Sequence, residues 1–470
     1  MLLFNAAFML ISAAISYFNR VDTGFTPLLL SSVLTAILGC FPLIFVGKKS
    51  GALSSHEGYA IVVGAWLLSC VIGMLPYLLW GGEFSVMNAW FESTSGFTTT
   101  GSTTLEDIER LPEGLLFWRS STHWLGGVGV VMFVLVVLPS IGSTKKMLSN
   151  LELSSLAKDN FKYRAQKIGQ ILLVVYVGLT AAEALLLRIA GMDWFDAVNH
   201  AFSTIATGGF STKNLSIAYF DNAWIETIIM VFMCVAGLHF GLIFATLTGK
   251  GNNVFKSEVS RYYLIALLAG GLIVALSLWS GDMYRSFGES VRHGLFQVVA
   301  LSSTTGFATA DSSAWTPLAI VILTLCSLQC ACAGSTSGGI KCDRVLLSFK
   351  SIKAQVLQRL HPNAIIRVKM NGAIQDNNVV SAAVNFIWFY ILLLAVGTAI
   401  VTACGTDIET GFSMIVASMG NVGPGFGNVG SMSNFGDLSG FVKFINTVYM
   451  LLGRLEIFGF IQIFLIRWWR

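Results

Sequence analysis

Apolar residues run through this chain in long blocks separated by short polar connections. The blocks at residues 58–80, 115–139, 172–189, 225–247, 262–279, 379–404 and 442–466 are near or above the ~18–20 residues that cross a hydrocarbon core as a helix. With residues 1–18, 26–46 and 318–333, the pattern predicts about ten spanning helices. Between them lie four stretches too polar to cross and too apolar to be ordinary loops: FSVMNAWFESTSGFTTTG (84–101), DWFDAVNHAFSTIATGGFST (193–212), SFGESVRHGLFQVVALSSTTGFATAD (286–311) and ETGFSMIVASMGNVGPGFG (409–427). Each opens on an acidic or polar cap, continues for about ten residues with the spacing of a short helix, then breaks into small polar residues around a glycine. Gly96, Gly209, Gly306 and Gly423 recur roughly every hundred residues, a period that points to an internal repeat.

A spanning helix precedes and follows each stretch, the pattern of a re-entrant pore loop. Irregular backbone at membrane depth is tolerated only where protein buries it or where it lines a water-filled path. Four such loops therefore predict a pore: an all-α integral membrane fold of four tandem helix, pore-loop, helix repeats, pseudo-fourfold about the membrane normal. The residue types suit a cation path. Backbone carbonyls replace the water of a desolvated cation, glycine frees the backbone to present them, and Ser and Thr hydroxyls hydrogen-bond peptide groups from behind. Short helices ending at the pore centre also turn their negative dipole ends toward the ion.

Composition agrees with a bilayer protein. Of 470 residues, 54% are hydrophobic and 11% charged, far from the balance of a soluble domain. Residues 1–18 lack a basic n-region and a small-residue cleavage site, so they read as the first spanning helix and not as a leader. The eight cysteines lie mostly within apolar segments and form no CxxC pair, which argues against a disulfide framework or a structural zinc. The net charge is +4, but its placement carries more information. Lys48, Lys49, Lys145, Lys146, Lys158, Lys162, Arg164, Lys167, Lys250, Lys256, Arg261 and a set from Arg344 to Lys369 occupy alternate connections, with Arg467 and Arg470 at the end. Since Lys and Arg mark the cytoplasmic side, both termini are expected there.

These motifs are similar to those of the membrane subunits of Trk-type potassium uptake systems, in the superfamily that also holds Ktr and plant HKT transporters. The likeness rests on SGFTTTG (95–101), ATGGFST (206–212), STTGFATAD (303–311), GNVGPGFGNVG (420–430), CAGSTSGGIK (332–341), HPNA (361–364) and LLGRLEIF (451–458). It implies two extra N-terminal helices (residues 1–50), repeats at 51–148, 149–255, 256–350 and 373–470, and a cytoplasmic linker at 351–372. It also implies a potassium filter built from Ser95, Gly96, Thr207, Gly208, Gly209, Thr305, Gly306, Asn421, Val422 and Gly423. In the first loop Gly101 offers a second register; Phe97, aligning with Phe210 and Phe307, favours Gly96. Glycine at that place, where the sodium-selective HKT branch carries Ser, leans toward potassium by the same resemblance.

Two features lie below the filter. Gly334, Ser335, Thr336, Ser337, Gly338 and Gly339 interrupt an apolar block, and glycine costs a helix up to ~1 kcal/mol per residue relative to Ala. The predicted break needs water or protein for its backbone and moves easily; the resemblance makes it an intramembrane gate. GSTSG does not fit a hydrolase nucleophile turn, because Thr336 holds the place of the serine, and no enzyme activity is expected. Arg454 is a cation deep in the last apolar block and a functional candidate by default. It either clamps an acidic neighbour or projects into the pore, and the resemblance favours the pore; Glu456, two positions on, is a poor direct partner.

The linker SIKAQVLQRLHPNAIIRVKMNG is basic and partly amphipathic, suited to anionic lipid or to a docking partner. The chain holds neither GxxxxGK[ST] nor GxGxxG, so nucleotide control would come from another chain. The resemblance implies a cytosolic NAD- or ATP-binding regulatory subunit, a homodimer of the membrane subunit in the bacterial inner membrane, K+ as the transported ion, no organic cofactor and no nucleic-acid partner. A sodium-permeable or weakly selective relative of the same architecture is the alternative.

Overall fold

A computed structural model describes residues 1–18, 22–45, 55–140, 165–249 and 253–457. Helix dominates these residues. One departure from an all-α chain is a small antiparallel hairpin, β1 (Lys369–Met370) with β2 (Ala373–Ile374). Its turn residues Asn371 and Gly372 both have positive φ, as a type I′ turn requires.

In chain order, α1 (Leu2–Phe18) and α2 (Phe25–Phe45) form a packed pair; α3 (Ser55–Gly73) and α4 (Leu75–Trp80) follow. Next come α5 (Val86–Phe97), α6 (Glu113–Ser140), α7 (Ala165–Ile189), α8 (Trp194–Ile205), α9 (Ala223–Ala236) and α10 (Phe240–Leu247). The remainder comprises α11 (Glu258–Ser280), α12 (Phe287–Ser302), α13 (Pro317–Gln329), α14 (Cys342–Leu360), α15 (Asn377–Ala403), α16 (Ile408–Gly420) and α17 (Gly440–Arg454). Among the described residues, 5 segments are long and apolar enough to cross a membrane: Phe25–Pro42, Ala60–Trp80, Gly169–Ile189, Glu258–Ser280 and Asn377–Ala403. The helices Leu2–Phe18 and Pro317–Gln329 are apolar but shorter. Large apolar side chains such as Phe4, Ile37, Val174, Leu272 and Trp388 are exposed, as lipid-facing surfaces require.

Two predicted spans are corrected. Residues 225–247 are not one helix: α9 and α10 meet at 105°. The chain breaks because its main-chain groups bond elsewhere, the Gly237 carbonyl accepting from Cys332 N at 3.0 Å and Phe240 N donating to the Gly334 carbonyl at 3.2 Å. His239 Nδ1 then caps α10 by accepting from Gly241 N at 3.0 Å. Residues 318–333 also fall short of a span, since α13 stops at Gln329 and the chain runs irregularly to α14. α14 itself extends through the first part of the predicted linker, to Leu360. The predicted span 442–466 is described only in part, as α17 and the residues just after it. Lys48, Lys49, Lys145, Lys146, Lys158, Lys162, Arg164, Lys250, Arg467 and Arg470, on which the orientation reading leans, lie outside the described residues.

The four polar stretches become short helices with one design. Ser85, Asp193, Ser286 and Asp407 cap α5, α8, α12 and α16, their side chains accepting from the backbone N–H three residues on at 3.2, 2.7, 3.1 and 2.9 Å. Such caps satisfy N–H groups that the helix leaves free and are worth ~1 kcal/mol each. Each short helix packs between its flanking long helices, and each also meets the helix that follows another short one: α8 on α6, α12 on α9, α16 on α13 and α5 on α17. The last contact joins the end of the chain back to its beginning.

Candidate functional site

The C-terminal ends of the short helices share a backbone course. Thr99, Thr207, Thr304 and Asn421 have φ of 51°, 56°, 60° and 52°, a left-handed conformation that costs a non-glycine residue ~1 kcal/mol or more. The next residue's N–H reaches back to the helix in every case: Thr100 to Ser95, Gly208 to Ser203, Thr305 to Ala300 and Val422 to Ala417, at 2.8–2.9 Å. One residue further, Gly101, Gly209, Gly306 and Gly423 again have positive φ, 76° to 104°.

These glycines touch one another's loops in order. A side chain on Gly101 would collide with the Gly208 carbonyl, on Gly209 with the Thr305 carbonyl, on Gly306 with the Val422 carbonyl and on Gly423 with the Thr100 carbonyl. The contacts close into a ring in which backbone meets backbone, so only glycine fits. All four glycines line one polar cavity of about 180 Å³, shared with Ser102 and Arg119.

The ring corrects the first-loop register. Gly96 lies inside α5, where a Cβ would strike Thr122, and Ser95 donates from the same helix to the Ser102 carbonyl at 2.6 Å. The counterpart of Gly209, Gly306 and Gly423 is Gly101. Phe97 misleads because it is a buried residue of α5 packed edge-on against Trp118, whereas Phe210 and Phe307 follow their glycines. The other filter candidates, Thr207, Gly208, Thr305, Asn421 and Val422, do come together at the ring.

Charged residues that sequence reasoning missed brace the loops. Arg119 Nε meets Glu92 at 2.5 Å, both side chains almost wholly buried. Arg119 also donates to the Ser211 carbonyl at 2.9 Å and stacks 3.6 Å over Phe210, while Glu92 accepts from Thr103 Oγ1 and Thr104 N. The pair thereby ties the first loop to the second. Arg292 of α12 similarly holds Glu226 of α9 at 2.6 Å, and Lys443 of α17 holds Asn88 of α5 at 2.9 Å. A lone acid in FESTSG and a lone arginine in the apolar block 115–139 were the available signals.

Residues 330–341 form the irregular segment between α13 and α14, and they pack under the ring. Thr336 Oγ1 donates to the Ile205 carbonyl at 3.1 Å and accepts from Thr207 Oγ1 at 3.3 Å. Gly338 N donates to Thr304 Oγ1 at 3.4 Å, and a side chain on Gly338 would meet the Gly420 carbonyl and Asn421. The segment thus touches the ends of α8, α12 and α16. Gly334 packs on the His239 ring, Gly339 on Cys330, and Ser335 shares a 2.7 Å bond with Ser337. From below, Arg454 Nη1 donates to the Thr336 carbonyl at 2.6 Å and Nη2 to the Gly126 carbonyl at 3.4 Å. Among the described residues Arg454 has no acidic partner; Glu456 pairs instead with Arg344 at 2.6 Å and Lys341 at 3.2 Å.

Residues 28–467 match the family model described as TrkH, cation transport protein. The chain belongs to the TrkH family. It is 37% identical over 427 residues to the Trk system potassium uptake protein TrkH of Escherichia coli, covering 90% of this chain and 88% of that protein. Against the Trk system potassium uptake protein TrkH of Vibrio parahaemolyticus, identity is 34% over 443 residues, 92% of this chain and 91% of the other. The crystal structure of the potassium transporter TrkH from Vibrio parahaemolyticus superposes with a TM-score of 0.90 at 32% identity, covering all of this chain and 97% of that one. For this TrkH-family chain the ring of glycines, the segment beneath it and Arg454 are therefore features of a transport protein's interior.

Proposed function

We propose that this chain takes up potassium across the bacterial inner membrane through a filter centred on Gly101, Gly209, Gly306 and Gly423. The observation that carries the reading is the closed ring of these four glycines, each reached by the same backbone course from a capped short helix. The names of the related proteins, potassium uptake proteins of Trk systems, supply the ion. Carbonyls of Thr100, Gly208, Thr305 and Val422, with those of the glycines, replace the hydration shell of K+; their number and field strength set the preference over Na+. The short helices direct their C-terminal dipole ends toward the ion.

On this reading the four units, residues 51–148, 149–255, 256–350 and 373–470, are pseudo-fourfold repeats behind an N-terminal helix pair at 1–50, with 351–372 as a cytoplasmic linker. Residues 334–339 form the gate, latched by Arg454. A cytosolic NAD- or ATP-binding subunit moves the gate, the membrane subunit works as a homodimer, and both termini are cytoplasmic. The test is flux into liposomes reconstituted with the full chain, in K+, Rb+, Na+ and Li+. Faster uptake of K+ and Rb+ is the expected result; equal flux of all four ions would replace the reading with a weakly selective monovalent cation pathway.

A further inference from the structure

The ring of four loops is not uniform, and its irregular seam lies between the fourth loop and the first. Ser102 follows Gly101, whereas Phe210, Phe307 and Pro424 follow the other three glycines. Ser102 Oγ donates at 2.8 Å to the carbonyl oxygen of Gly423, across the seam. Among the described residues, no other side chain donates to the carbonyl of any of the four ring glycines. Ser102 is itself held, since its carbonyl accepts from Ser95 Oγ at 2.6 Å. One level deeper, Asn421 Nδ2 donates to Thr100 Oγ1 at 3.0 Å and to the Met450 carbonyl at 2.9 Å. Ser102 and Gly423 both line the polar cavity shared by the ring glycines.

We infer that Ser102 is a specificity-determining residue, which weakens the outermost cation site of the filter by tying down the Gly423 carbonyl. The inference rests on the filter reading above. A hydroxyl hydrogen placed against a carbonyl oxygen sets a positive dipole end beside the atom that would face the ion, and partly cancels its pull on a cation. A weaker ring of oxygens repays less of the dehydration cost of a small ion, so Na+ is penalised more than K+. The first loop alone can do this, because a bulky ring or a proline occupies the same position in the other three.

The experiment measures cation binding and cation flux separately. Full-length protein in detergent is titrated with KCl, RbCl and NaCl, binding being read as a shift in thermal unfolding, and the same preparations are reconstituted for Rb+ and Na+ uptake. Ser102→Ala, which frees the carbonyl, should raise apparent Na+ affinity and lower the K+ to Na+ affinity ratio by about fivefold, the scale of one neutral hydrogen bond. Ser102→Thr, which keeps the donor, should restore the wild-type ratio, and Ser102→Cys, a weak donor, should fall between. A Ser102→Ala ratio equal to wild type would overturn the inference, as would Thr and Ala variants equally altered, which would make the effect steric. If Ser102→Ala fails to fold, the ranking of Ser, Thr and Cys decides by the same criterion. Wild-type protein that shows no preference between K+ and Na+ would defeat the filter reading and this inference together.

Discussion

Arg454 donates at 2.6 Å to the carbonyl oxygen of Thr336, so the end of α17 holds the middle of the segment that lies under the ring. A hydrogen bond from a charged donor contributes ~1.5–3 kcal/mol. Arg454→Gln should release the segment and raise Rb+ uptake into liposomes by tenfold or more without added nucleotide. Thermal unfolding of the variant should stay close to wild type. Loss of folded protein with no gain in flux would make the arginine a packing brace.

Gly101 and Gly96 lie in different places, and on the filter reading their substitution should have different effects. Gly101→Ala forces a Cβ into the Gly208 carbonyl at a φ of 86°, so K+ over Na+ selectivity in flux assays should collapse. Gly96→Ala collides with the Thr122 side chain and comes no nearer than ordinary contact to Phe210. It should lower the unfolding temperature through the contact of α5 with α6 and leave the selectivity ratio within twofold of wild type, the sequence-derived register notwithstanding.

Removing one member of the buried pair Glu92 and Arg119 leaves the other charge without its partner. Glu92→Gln or Arg119→Leu should each destabilise the protein by ~3–5 kcal/mol, read as a fall in unfolding temperature in detergent. The double variant Glu92→Gln with Arg119→Leu should cost less than the two single effects added together, because no orphan charge remains.

Asp407 caps α16 from an exposed position, and the Thr410 backbone N–H holds its carboxyl below the usual carboxylate range. A depressed value means that the cap contributes at neutral pH and is lost as pH falls through the lowered pKa. Asp407→Ala should cost ~1 kcal/mol at pH 7 and show a smaller loss at low pH. Asp407→Asn keeps a capping oxygen and should lose less stability at pH 7 than Asp407→Ala. Because neither variant titrates at this position, both should change less than wild type between pH 7 and pH 3. Parallel pH curves for all three proteins would remove the cap from the account.

Local chemistry was legible in the sequence. The short helices at 86–97, 194–205, 287–302 and 408–420 follow from caps three residues from their targets, an apolar spacing of one helix face and a terminating polar run. The glycine-rich break at 334–339 follows from helix propensity alone. Each of these is decided by interactions within a few positions, so one stretch of chain contains the whole cause.

Tertiary structure decided what depends on distant backbone. The first-loop register is set by Gly101 against the Gly208 carbonyl, a contact across a whole repeat length that residue similarity at Phe97 could not reveal. Residues 225–247 are apolar enough for one straight helix, yet Cys332 and Gly334 draw off the hydrogen bonds of Gly237 and Phe240 and bend it. Glu92 and Arg119 find each other only when α5 and α6 pack, and Ser102 reaches Gly423 only when the last loop closes on the first. Composition and local pattern thus specified a membrane protein with four capped, broken units; the closing of their loops, where desolvated backbone must pair with whatever lies opposite, fixed which atoms meet at the ring.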